Sequence, residues 1–135
     1  KPVGIDLSLG LIKEAKKRVP KGEFLKQDFR KTKFKDNSFD GIWCMTGFVH
    51  LPKIEIKKAL KEFNRILDKN GILYISVKNG TGSKEIKQEK YNNEPRTFYF
   101  YEQKDMEELI HETNFKIISS ESNDMWVELF VQKKD

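Results

Sequence analysis

The sequence predicts an α/β fold with a mainly parallel sheet. Short apolar runs of strand length alternate along the chain with segments of helical periodicity. One of those runs, Ile42-Trp43-Cys44-Met45, lacks the polar alternation of a one-sided strand and predicts burial on both faces. The 135 residues are 37% hydrophobic, apolar material for one core, so residues 1–135 read as a single domain.

Taken in order, Val3-Gly4-Ile5 predicts the end of a strand stopping at Asp6. Ser8 is a candidate N-cap for a helix reaching Arg18, with Leu11, Ile12, Ala15 and Val19 on one face and Lys16, Lys17 and Arg18 suiting its C-terminal dipole. Pro20 and Gly22 end it. Residues 23–27 predict a short strand closed by Asp28, and residues 39–45 a third strand. A second helix is predicted over 54–67, where Ile56, Ala59, Leu60, Phe63, Ile66 and Leu67 recur at three and four. Asn70-Gly71 is its expected stop, and 72–77 the next strand. Residues 78–96 are polar and carry no predicted element, although Asn79-Gly80-Thr81-Gly82-Ser83-Lys84 suggests a loop at the rim of a site. The aromatic run Phe98 to Tyr101 follows, a candidate lid together with Tyr91, two of its four residues facing the core by alternation. A third helix is expected over 102–113 with Met106, Leu109 and Ile110 inward. The last two strands, 115–119 and 126–132, have too short a connection for a crossover and must be antiparallel neighbours.

Composition excludes several classes. One cysteine, Cys44, cannot form an internal disulfide, and with only His50 and His111 it supplies no zinc-ligand spacing. No apolar stretch is long enough to cross a bilayer, which predicts no membrane partner and a cytoplasmic location. The net charge of +5 admits an anionic partner. The lysines are scattered over helix faces, however, and only four basic residues are arginine, so a solvated surface is the preferred reading over a nucleic-acid footprint.

The chemistry concentrates at strand ends. Asp6 and Asp28 each stand where a parallel strand reaches its carboxyl edge, and open α/β sheets bind ligands at that edge. A carboxylate there can accept two ribose hydroxyls or a purine amino group. Leu7 and Phe29, one after each aspartate, can sandwich a flat ring, so the pair points to a nucleoside pocket. Either aspartate alone would read as a turn residue. His50 follows the third strand and is read evenly as a base or as an orienting residue; Cys44 reads as a small core residue.

The order of motifs resembles the class I S-adenosylmethionine-dependent methyltransferases, in the small-domain subgroup called type 11. The resemblance rests on Val3-Gly4-Ile5-Asp6-Leu7-Ser8, Phe24-Leu25-Lys26-Gln27-Asp28, Asn37-Ser38-Phe39-Asp40-Gly41-Ile42-Trp43, Phe48-Val49-His50-Leu51, Glu62-Phe63-Asn64-Arg65-Ile66-Leu67 with Asn70-Gly71-Ile72-Leu73, and the closing hairpin. It implies a Rossmann-like sheet, mostly parallel with a C-terminal antiparallel hairpin, and S-adenosyl-L-methionine as cofactor. By this resemblance Asp6 binds the ribose hydroxyls, Leu7 packs on the adenine, Asp28 accepts its amino group and Phe29 flanks the ring. The Cys44-Met45-Thr46 backbone borders the methionine part, and His50 faces a small-molecule acceptor. The family's first strand, glycine-rich loop and first helix are absent from the chain as given. Because that strand is central in the family's sheet, an unfilled gap is expected between the strand ending at Asp6 and the strand ending at Cys44. Three outcomes are expected for the two strand edges so left. The preferred reading is an N-terminal segment outside this chain that fills the gap; next comes a second copy that seals them as a homodimer, or closure of the two edges on each other. The competing expectations are a module that binds or modifies tRNA and a non-catalytic remnant of the fold.

Overall fold

The computed structural model describes residues 2–89 and 92–135; Tyr91, of the candidate lid, lies outside them. In chain order the elements are β1 (Val3–Asp6), α1 (Leu9–Arg18), β2 (Glu23–Lys26), β3 (Phe39–Met45), α2 (Lys53–Ile66), β4 (Leu67–Lys78), β5 (Ser83–Lys87), β6 (Pro95–Tyr99), α3 (Gln103–Glu112), β7 (Phe115–Ser122) and β8 (Trp126–Lys133).

Three sheets result. β1 and β2 form a parallel pair, β3-β4-β8-β7 form a mixed sheet, and β5-β6 form an antiparallel hairpin. The β3–β4 pairing is parallel, whereas β8 runs antiparallel to β4 and also to β7, the latter as the short connection between the last two strands required. β1 and β3 do not pair. A cleft of about 480 Å³ lies between them, lined by Val3, Ile5, Phe34, Phe39, Ile42 and Cys44 among others, and it is the expected gap.

The main core forms where α2 and α3 cover one face of the four-stranded sheet. Ile56, Ala59, Leu60 and Phe63 of α2 meet Leu73, Ile75 and Val77 of β4 and Val127, Leu129 and Val131 of β8. Met106, Leu109 and Ile110 of α3 complete it, all three inward as expected. α3 is held at its start by a reciprocal capping box between Glu102 and Asp105.

Four expectations need correction. β3 is not buried on both faces: Trp43 is 66% and Met45 62% exposed, because among the described residues β3 is an edge strand of its sheet and that face has no helix over it. Trp43 instead stacks on Tyr74 at 4.0 Å. On α1, Leu11 and Val19 are exposed and only Ile12 is buried, since the β1-β2 pair is too small to cover the whole stripe. α2 ends at Ile66, and Leu67 opens β4. Asn70 does take a left-handed conformation (φ 63°), but within a bulge between β3 and β4 and not as a helix cap. The polar stretch after residue 78 folds into the β5-β6 hairpin, which the sequence pattern did not predict. Of the aromatic run, Phe98 and Tyr101 are the two buried residues.

Candidate functional site

The carboxyl ends of β1, β2 and β3 open onto a second cleft of about 480 Å³. Its walls include all seven residues singled out from the sequence: Asp6, Leu7, Asp28, Phe29, Cys44, Met45 and His50. Within each parallel pair the carboxyl ends fall on one edge, and the cleft brings the edge of β1-β2 together with the end of β3. Seven further lining residues were not singled out: Ile5, Gln27, Arg30, Trp43, Gly47, Leu51 and Arg96. Arg30 and Gln27 flank Asp28 and were within reach of sequence reasoning. Arg96 arrives from β6, sixty-eight positions after Asp28, and no local pattern announces it.

Asp6 closes β1. One of its oxygens accepts the Ser8 N–H at 2.7 Å, and the Ser8 hydroxyl in turn caps α1 by accepting the Leu11 N–H at 3.2 Å. Asp6 therefore does serve the turn, with its second carboxylate oxygen outside any hydrogen bond among the described residues. Leu7 beside it is 58% exposed, an apolar side chain at the cleft wall.

Asp28 is more firmly held. Its Oδ1 accepts the Arg30 backbone N–H at 2.8 Å and Arg30 Nε at 3.0 Å, and its Oδ2 accepts the second guanidinium nitrogen at 2.6 Å. These bonds, opposed by partial burial, hold its carboxyl below the usual range, so it is an acceptor-only carboxylate at neutral pH. Phe29 departs from expectation in one respect. Its ring is committed to the core, edge-on to Phe48 and to Phe63 at 5.7 Å each, which leaves less of it for a ligand ring.

At the end of β3 the chain turns sharply. Thr46 adopts φ 57°, rare for a β-branched residue, and its N–H is received at 3.0 Å by the hydroxyl of buried Ser76 on β4. A Cβ on Gly47 would meet Cys44 Sγ at 2.7 Å and Phe29 at 3.0 Å, so only glycine fits there without displacement. Burial pushes the Cys44 thiol up to about 12, which makes it a neutral packing group.

His50 sits on the following loop. Its Nδ1 lies 2.9 Å from the Thr97 carbonyl, and its ring packs on Phe98 at 4.5 Å, both on β6. A carbonyl oxygen only accepts, so Nδ1 carries the proton and Nε2 of the neutral ring is the lone-pair nitrogen. The loop is pinned to the region of β6 elsewhere too: Tyr99 N–H donates to Val49, and the Tyr101 hydroxyl donates to the Leu51 carbonyl at 2.6 Å.

Residues 1–75, more than half of the chain, match the family of methyltransferase domains. The chain belongs to that family. It is similar to a ubiquinone/menaquinone biosynthesis C-methyltransferase of Campylobacter jejuni, 36% identical over 72 residues, which are 53% of this chain and 30% of that relative. A demethylmenaquinone methyltransferase of Renibacterium salmoninarum is also 36% identical, over 74 residues. The chain thus spans under a third of the length of these curated relatives. Among solved structures, a SAM-dependent methyltransferase of Methanosarcina mazei superposes with a TM-score of 0.85 at 17% identity, covering 98% of this chain and 81% of that one. This likeness shows the methyltransferase fold.

Proposed function

We propose that the cleft at the ends of β1, β2 and β3 binds S-adenosyl-L-methionine and that the protein transfers its methyl group to a small-molecule acceptor. The observation that carries this reading is the convergence of Asp6 and Asp28 on one cleft with Leu7 between them in sequence. Adenosine needs acceptors for two ribose hydroxyls and an amino group, and an apolar surface for the base. The donor set here fits that half: Asp6 takes the ribose hydroxyls, Leu7 and one side of Phe29 take the ring, and Asp28 takes the amino group. The Cys44–Met45 backbone, fixed by the Thr46 turn, borders the methionine end.

The cofactor's sulfonium makes its methyl group electrophilic; the protein's task is alignment and exclusion of water. For an acceptor that must shed a proton, His50 Nε2 is the base, its tautomer set by the Thr97 carbonyl. The small-molecule reading draws support from the relatives named for quinone biosynthesis and from the scattered placement of the lysines. Incubating the chain with methyl-labelled cofactor and, in parallel, a demethylated quinol and bulk tRNA tests it. Label in the small-molecule fraction alone is expected. Label in RNA, or in neither while the cofactor binds, contradicts the acceptor class.

A further inference from the structure

Arg30 makes more hydrogen bonds than a surface arginine needs. Its guanidinium forks onto both oxygens of Asp28: Nε is shared between Oδ1 at 3.0 Å and Oδ2 at 3.1 Å, and Nη2 donates to Oδ2 at 2.6 Å. Its remaining nitrogen donates to Glu55 Oε2 at 3.1 Å, on the first turn of α2. Glu55 is itself paired with Lys58 at 3.2 Å. The backbone closes the same loop, for Arg30 N–H bonds Asp28 Oδ1 and Lys31 N–H bonds the Asp28 carbonyl at 3.1 Å. The carboxylate at the end of β2 is thereby fixed in rotation and tied across the cleft wall to a helix of the main core.

A carboxylate only accepts, and Arg30 holds this one in a single rotation at the cleft wall. An amino group can donate there; a carbonyl oxygen in the same place meets repulsion and leaves the carboxylate unsatisfied. A bidentate fork is what gives such geometric specificity, and a lysine, a point charge on a flexible stem, cannot reproduce it.

We propose that Arg30 is the positioning residue for base recognition: it locks Asp28 so that the site takes a 6-amino purine and rejects the 6-oxo form. This rests on the reading of the cleft as an adenosine site. Arg30 itself need not touch the ligand.

The test is calorimetric titration of the chain with S-adenosylhomocysteine and with its 6-oxo counterpart, S-inosylhomocysteine. Wild type should prefer the amino form. Arg30→Met should reduce that preference about tenfold, the scale of one hydrogen bond to a charged group, with the far-ultraviolet dichroism unchanged. Arg30→Lys, which keeps the charge and safeguards the test should the methionine variant not fold, should recover little of it. A preference that is unchanged or raised in both variants overturns the proposal. Wild-type binding without any preference overturns it too, while leaving the adenosine site standing. Absence of wild-type binding to either compound overturns the adenosine reading itself.

Discussion

Thr46 shows how single residues set the geometry of the cleft. A left-handed β-branched residue costs on the order of 1–3 kcal/mol and persists only where its surroundings over-determine it. Here the Ser76 hydroxyl and the steric demand at Gly47 do so. Ser76→Ala should therefore lower stability by about 1–2 kcal/mol in urea titration, since a strained turn loses its acceptor; an unchanged midpoint would show that the turn is held otherwise. Cys44 gives a second test. With its thiol pushed up to about 12 by burial, it should resist alkylation by iodoacetamide at pH 8 in the folded chain and react once the chain is unfolded. At this scale the sequence was informative where chemistry needs a particular residue type at a strand end, as at Asp6 and Asp28. It was silent on Ser76 and Arg96, whose roles depend on which strand or hairpin lies alongside.

Two carboxylates of α2, Glu55 and Glu62, stand seven residues apart and so share a face of the helix. Glu55 takes Arg30, and Glu62 Oε2 accepts both the N–H and the hydroxyl of Thr32 at 2.6 Å. Arg65 donates to the same carboxylate at 2.9 Å and reaches Asp36 at 2.7 Å. Together they staple the segment after β2 to the core. Chiefly through Arg65, the Glu62 carboxyl is lowered from 4.5 to about 2. A lowered folded pKa stabilises above the unfolded value, so the contribution is complete above about pH 4.5 and is lost as pH falls toward 2. Its size is at most about 3 kcal/mol. Glu62→Gln should accordingly be less stable than wild type at pH 7, with the two denaturation curves converging as pH approaches 2. Elements with strong periodicity were legible: α3 was expected within a residue at each end. The end of α2 was not, because Leu67 satisfies the helical pattern equally well while its backbone pairs with Phe39. The β5-β6 hairpin escaped notice because its buried positions are few, Phe98 alone in β6.

The molecule consists of unequal parts. Among the described residues, the main core takes nothing before Phe29, and α1 with β1 and β2 has only Ile12 well buried. Two strands and one short helix are marginal on their own. Amide exchange should therefore be faster in β1 and β2 than in β4 and β8, which sit inside the four-stranded sheet; equal protection would mean that the gap beside β1 costs nothing. The cleft spans this division, with Asp6 on the weaker part and Met45 on the stronger, so a ligand that bridges them should slow exchange in β1. Whether that ligand is the cofactor is read most directly from the equilibrium affinity for S-adenosylhomocysteine of wild type against Asp6→Ala. If Asp6 holds both ribose hydroxyls, the substitution weakens binding by roughly 2–4 kcal/mol, the loss of two charge-assisted hydrogen bonds. Equal affinity of the two proteins, with dichroism showing Asp6→Ala folded, would reduce Asp6 to the turn that caps α1 and would contradict the adenosine site.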